Sequence, residues 1–146
     1  MLIYIIKLSK IDFENLTQDK ISKGYTYFGT SPNKHLIFLK YSKNKTILKR
    51  TLEHELSHIF IKEFDLKKKI NQFEFKRVLK NKNFRDYNKK IYNTSFKLRE
   101  EYLADFISYA FFGSKYEQNY IKKNYPKNYK IIESFYNKFK PKLINI

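Results

Sequence analysis

The apolar and polar positions of this chain change period along its length, and each period predicts an element. Leu2, Ile3, Tyr4, Ile5 and Ile6 form a short apolar run, and residues 2–9 read as a strand. Residues 12–22 are polar and read as helical or irregular. Tyr25, Tyr27 and Phe28 lie between Gly24 and Gly29 and suit a second short strand, ended by the turn residues Gly29-Thr30-Ser31-Pro32-Asn33. Residues 35–41 read as a third strand, antiparallel to the second across that turn. The period then lengthens. Leu48, Leu52, Leu56 and Ile59 recur at helical spacing, which predicts a helix capped by Thr46 and running to about Glu63.

Residues 65–70 form a charged connection, 73–79 a short helix, and 81–94, rich in Asn, Lys and Tyr, an exposed loop. A long helix is predicted from about Ser95 to Phe112, stopped by Gly113. Residues 115–124 read as a short basic helix or turn. Pro126 fits the first turn of a last helix that runs to Lys140 and ends before Pro141. No repeat or linker interrupts the pattern. The expected class is α+β, a small amino-terminal, mostly antiparallel sheet packed on helices, with residues 1–146 as a single domain.

Composition narrows the chemistry. The chain has no cysteine, so disulfides, thiolate metal sites and cysteine nucleophiles are excluded. The amino-terminal apolar run is interrupted by Lys7 and lacks a small-residue cleavage site, so it reads as a buried strand rather than a signal peptide; the location is cytoplasmic by sequence, and the compartment stays open. No stretch approaches the roughly 20 apolar residues that span a bilayer. The net charge of +17 invites a nucleic-acid partner. The lysines are spread along the whole chain, however, and Lys, Asn, Ile, Tyr and Phe all have A/T-rich codons, so genome composition is the favoured cause. The 14 acidic residues are then the more telling ones, and Glu53, Glu55, Glu63, Glu100, Glu101 and Asp105 fall in two short segments.

The first segment holds His54-Glu55-Leu56-Ser57-His58. Positions i and i+4 share a helical face, so both imidazoles can point at one ion. Glu55 follows His54 directly, where its carboxylate can reach a water on that ion. This is the H-E-x-x-H pattern of zinc hydrolases. Three fixed residues of these types coincide by chance in about one chain of this length in several hundred. The apolar stripe accounts for the helix but not for His54 and His58, which lie on its flank.

Catalytic zinc takes three protein ligands and keeps one position open. Without cysteine, the third ligand is a carboxylate or His35. The best candidate is Glu101, because Asp105 is four positions on and can orient one of the histidines. Glu100 is the rival, but its i+4 neighbour is Ala104, which can orient nothing. The bland alternative is a solvated acidic patch pairing with Lys97 or Arg99.

Glu101-Tyr102-Leu103-Ala104-Asp105-Phe106, 43 positions after His58, resembles the second motif of gluzincins of the anthrax lethal factor type, a group that includes the secreted Pro-Pro endopeptidases. Residues 121–132, with Pro126-Lys127 inside them, resemble the Lys-x-x-x-Pro-Lys-Thr-Tyr/Phe segment that opens that family's final helix. The resemblance covers roughly residues 34–140. It implies a zincin-like metallopeptidase fold, one Zn2+ held by His54, His58 and Glu101, Glu55 as general base and acid, and Asp105 as the partner that supports the ligands. The family carries a tyrosine seven residues before the ligand glutamate. That position is Thr94 here, and Tyr92 serves if the loop holds a two-residue insertion, with Tyr87 as a further candidate.

The expected activity is therefore zinc-dependent endopeptidase hydrolysis of a protein or peptide substrate lying extended along an edge strand, residues 24–29 or 35–41. Competing readings are an intracellular regulatory metallopeptidase of the repressor-cleaving type, a nucleic-acid-binding module with a non-catalytic metal site, and an inactive member of the family.

Overall fold

The computed structural model describes residues 1–29, 33–81 and 95–146. They form two compact units, 1–59 with 140–146, and 60–139. The class is α+β: a small mixed sheet of four strands, with helices.

The first unit holds the sheet. Strands β1 (Leu2–Leu8), β2 (Gly24–Phe28), β3 (Lys34–Lys40) and β4 (Lys142–Asn145) lie in the order β2-β3-β1-β4. Alternation sends Ile3 and Ile5 of β1 and His35, Ile37 and Leu39 of β3 to one buried face. The hairpin of β2 and β3 is antiparallel as expected, with Tyr27 opposite Leu36. The rest of the sheet corrects the expectation. β1 pairs with β3 in parallel, Ile5 beside Ile37, and with β4 in parallel, Ile3 beside Leu143. Parallel strands need a long crossover. Helix α1 (Lys10–Thr17) and β2 supply it between β1 and β3, and the whole helical part of the chain supplies it before β4.

Helix α1 begins at Ser9, whose hydroxyl accepts from the Asp12 N–H at 3.1 Å. It buries Phe13, over whose ring the Lys40 ammonium stands at 5.0 Å. Helix α2 spans Lys45–Phe64. Its cap is Asn44 rather than Thr46, with the Asn44 Oδ1 accepting from the N–H groups of Thr46 and Ile47 at 2.9 and 3.2 Å. Both are capping residue types, and the one that lies outside the first turn wins.

The second unit contains helices α3 (Leu66–Lys69), α4 (Gln72–Lys80), α5 (Ser95–Ile107), α6 (Lys115–Asn124) and α7 (Pro126–Tyr136). Its core includes Phe60, Phe75, Leu103, Phe106, Ile121 and Ile132. The helix expected to run to Phe112 widens into a π-type turn over Ser108–Phe112. Gly113 then ends it in extended backbone, and it is needed for clearance: a Cβ there would lie 2.8 Å from the Tyr109 carbonyl oxygen. Ser114 and Glu117 form a capping box that starts α6. Helix α7 stops at Tyr136 instead of Lys140. Phe139 is the reason, since it turns back to pack on Phe60 with ring centroids 4.9 Å apart. The loop expected over 81–94 lies, beyond Asn81, outside the described residues. No helix among the described residues is long and apolar enough to cross a membrane.

Candidate metal centre

The apolar stripe of α2 seats Leu56 and Ile59 in buried positions, and this fixes the rotation of the helix. With that rotation set, His54 and His58 stand one turn apart on a part-buried flank. Their Nε2 atoms are 3.1 Å apart and their rings meet edge to face at a centroid distance of 4.8 Å. Two nitrogens each about 2.0–2.1 Å from one tetrahedral ion are roughly 3.3 Å apart. The observed spacing is close to that of two imidazoles sharing one zinc ion.

Glu55, between them in sequence, is 7 % exposed. The Thr26 hydroxyl, on β2, donates to its Oε2 at 2.5 Å and stands 3.3 Å from its backbone carbonyl. Gly24, two residues earlier on the strand, sits so close that a Cβ would lie 2.8 Å from Glu55 Oε1 and 2.6 Å from Thr51 Cγ2. Thr26 and Gly24 escaped the sequence reading. The available signal was a glycine opening an aromatic strand, which marks close approach of another element.

Helix α5 carries Glu101 and Asp105 one turn apart, both half-buried, among the buried side chains of Tyr102, Leu103, Ala104 and Phe106. Glu100 faces elsewhere and accepts from the Lys67 ammonium at 3.2 Å. Arg99 donates to Gln72, and its guanidinium lies 5.6 Å from the Phe75 ring centroid. The acidic patch is thus divided, with Glu100 engaged by Lys67. His54 and His58 belong to the first unit and Glu101 to the second. His35 is 4 % exposed on β3, with its ring edge-on to Phe28 at 5.8 Å. Tyr92, Tyr87 and Thr94 lie outside the described residues.

The segment Pro126-Lys127-Asn128 opens α7, as expected of the final helix. Its backbone is held by a buried carboxylate. Glu74 Oε1 accepts from the Asn128 N–H at 2.8 Å and Oε2 from the Lys127 N–H at 3.2 Å. Asn128 in turn bonds the Asn71 backbone, accepting from its N–H at 2.6 Å and donating to its carbonyl at 3.1 Å. Compared with known proteins, the chain matches no family model, no curated protein and no solved structure.

Proposed function

We propose that the chain is a zinc-dependent endopeptidase of zincin-like fold, akin to the gluzincins that its motifs resemble. The observation that carries the reading is on α2: two imidazole Nε2 atoms at metal-sharing distance, with a buried glutamate between them in sequence. In this proposal His54, His58 and Glu101 hold one zinc ion, Asp105 orients a ligand, and Tyr92 steadies the oxyanion. Glu101 is chosen over Glu100 because Lys67 engages the Glu100 carboxylate.

A zinc ion with three protein ligands keeps a position for water, lowers its pKa to about 7 and polarises a carbonyl. Glu55 takes the proton from the attacking water and delivers it to the leaving amine. The peptide lies extended along β2. That strand is an edge of the sheet, whereas β3 is flanked by β2 and β1 and has no edge to offer. Tyr25 and Tyr27 project from β2 into solvent, where they can meet substrate side chains.

A peptide-library cleavage assay on zinc-loaded wild type beside Glu55→Gln tests the reading. Cleavage by the wild type and none by the variant, at equal zinc content, is expected. A wild type that cleaves nothing, or a variant that cleaves as well, overturns it.

A further inference from the structure

The Glu55 carboxylate is gripped by a strand that lies 29 residues away in sequence. Strand β2 alternates, so Gly24, Thr26 and Phe28 face one way while Tyr25 and Tyr27 face the other. Two of the inward residues act on the same side chain. The Thr26 hydroxyl has one proton to give, and the closer of its two acceptors is the carboxylate oxygen Oε2, at 2.5 Å against 3.3 Å for the backbone carbonyl. A bond from a hydroxyl to an ionised carboxylate is among the stronger ones and fixes direction as well as distance. Gly24 provides the space: a Cβ there would lie 2.8 Å from Oε1 and 2.9 Å from Cγ of Glu55.

A glutamate has three side-chain torsions, and a general base must be held in reach of the proton it moves. We propose that Thr26 is the positioning residue for Glu55. One charge-assisted hydrogen bond fixes the carboxylate, and the missing side chain at Gly24 leaves it room. This deepens the hydrolase reading and rests on it for the role of Glu55. It also places the residue that steadies the base in the edge strand along which the substrate is to lie. Main-chain pairing of a peptide with β2 then acts on the alignment of Glu55 as well as on binding.

The test compares wild type, Thr26→Val and Thr26→Ser, all zinc-loaded. Valine keeps the shape of threonine without the hydroxyl, and serine restores the hydroxyl. Thr26→Val is expected to keep its zinc content and melting temperature, to change KM less than about twofold, and to lose about 10- to 100-fold in kcat. Thr26→Ser is expected to recover most of that loss. A wild-type kcat in Thr26→Val, or a serine variant no better than valine, overturns the proposal.

A second readout does not need turnover. The 13Cδ resonance of Glu55, assigned by its absence in Glu55→Gln, is expected to move in Thr26→Val and to return in Thr26→Ser at one fixed pH. An unmoved resonance overturns the proposal whether or not any peptide is cut. A resonance that moves and returns in a chain whose wild type cuts nothing upholds Thr26 as the residue that positions Glu55 and overturns the hydrolase reading instead.

Discussion

Glu74→Ala is expected to destabilise the chain by about 3 kcal/mol, and the figure follows from where the carboxylate points. The side chain is buried, and its two oxygens accept from consecutive backbone N–H groups, Lys127 and Asn128, in the first turn of α7. Pro126, before them, has no N–H to satisfy. Hydrogen bonds to a charged group contribute about 1.5–3 kcal/mol each, and their loss leaves buried donors unpaired. Asn128 is 1 % exposed, so its N–H cannot turn to water and takes the full penalty, about 2 kcal/mol. Lys127 is exposed, so its N–H is partly rescued by solvent and counts about 1 kcal/mol. The negative charge at a helix N-terminus adds a few tenths more.

Glu74→Gln keeps one acceptor but turns an NH2 group toward the second N–H, so about half the loss is expected. Urea unfolding followed by far-UV circular dichroism checks both variants, and a fall in melting temperature of about 6–12 °C should accompany the alanine change in a chain of this size. A loss in Glu74→Ala below about 0.5 kcal/mol, the range of ordinary surface substitutions, would refute the reasoning.

Glu101→Ala is expected to lose stoichiometric zinc while Glu100→Ala keeps it, and elemental mass spectrometry of the purified variants distinguishes them; equal zinc in both removes each from the ligand set. Burial pushes the Asp19 carboxyl up, but bonds from the Ser22 hydroxyl and the N–H groups of Ser22 and Ile21, with the Lys40 charge, outweigh it and hold Asp19 below its ordinary value. A group depressed in this way stabilises the fold above its unfolded pKa, and the contribution is lost as pH falls through the folded value. Asp19→Asn should therefore unfold more easily than wild type at neutral pH, with the gap closing as pH falls through the folded value, and a gap that widens on acidification contradicts the sign. Gly113→Ala, whose Cβ would meet the Tyr109 carbonyl oxygen at 2.8 Å and the Glu117 Cβ at 3.1 Å, should cost about 1–3 kcal/mol by thermal or urea unfolding.

The elements were legible where their cause is local. Short apolar runs marked β1 and β3, the leucine stripe marked α2, and Pro126 marked the start of α7 to the residue. Strand direction was not legible, because β1 finds β3 and β4 across long crossovers that no short window contains. Strand β4 has four residues, too few for a period to register. The end of α7 was misread because the chain there follows Phe139 onto Phe60 rather than helical propensity. At the site, His54, Glu55 and His58 follow from spacing on one helix. Glu100 and Glu101 differ by a single helical step, roughly 100° of rotation, and packing of Tyr102, Leu103 and Phe106 decides which way each points. Thr26 left no trace of its own, since its contact joins a strand to a helix 29 residues on.

In a chain of charge +17, an acidic side chain needs a reason to be where it is, and four of the described ones have structural ones. Glu14 meets Lys40 at 3.5 Å, Asp19 closes the turn after α1, Glu74 holds the start of α7, and Glu117 completes the box that starts α6. Each of these is satisfied within its own neighbourhood, and stability is a sufficient account of it. Glu55 differs in kind. It is buried, its neighbours in sequence include two histidines whose Nε2 atoms nearly touch, and a strand gives up a side chain at Gly24 to make room for it. A leucine would fill such a buried place on a helix with no hydroxyl partner and no glycine opposite. Its bond from Thr26 holds the carboxylate but caps no helix, and this contrast with Glu74 and Glu117 is what motivates the proposed role of Glu55.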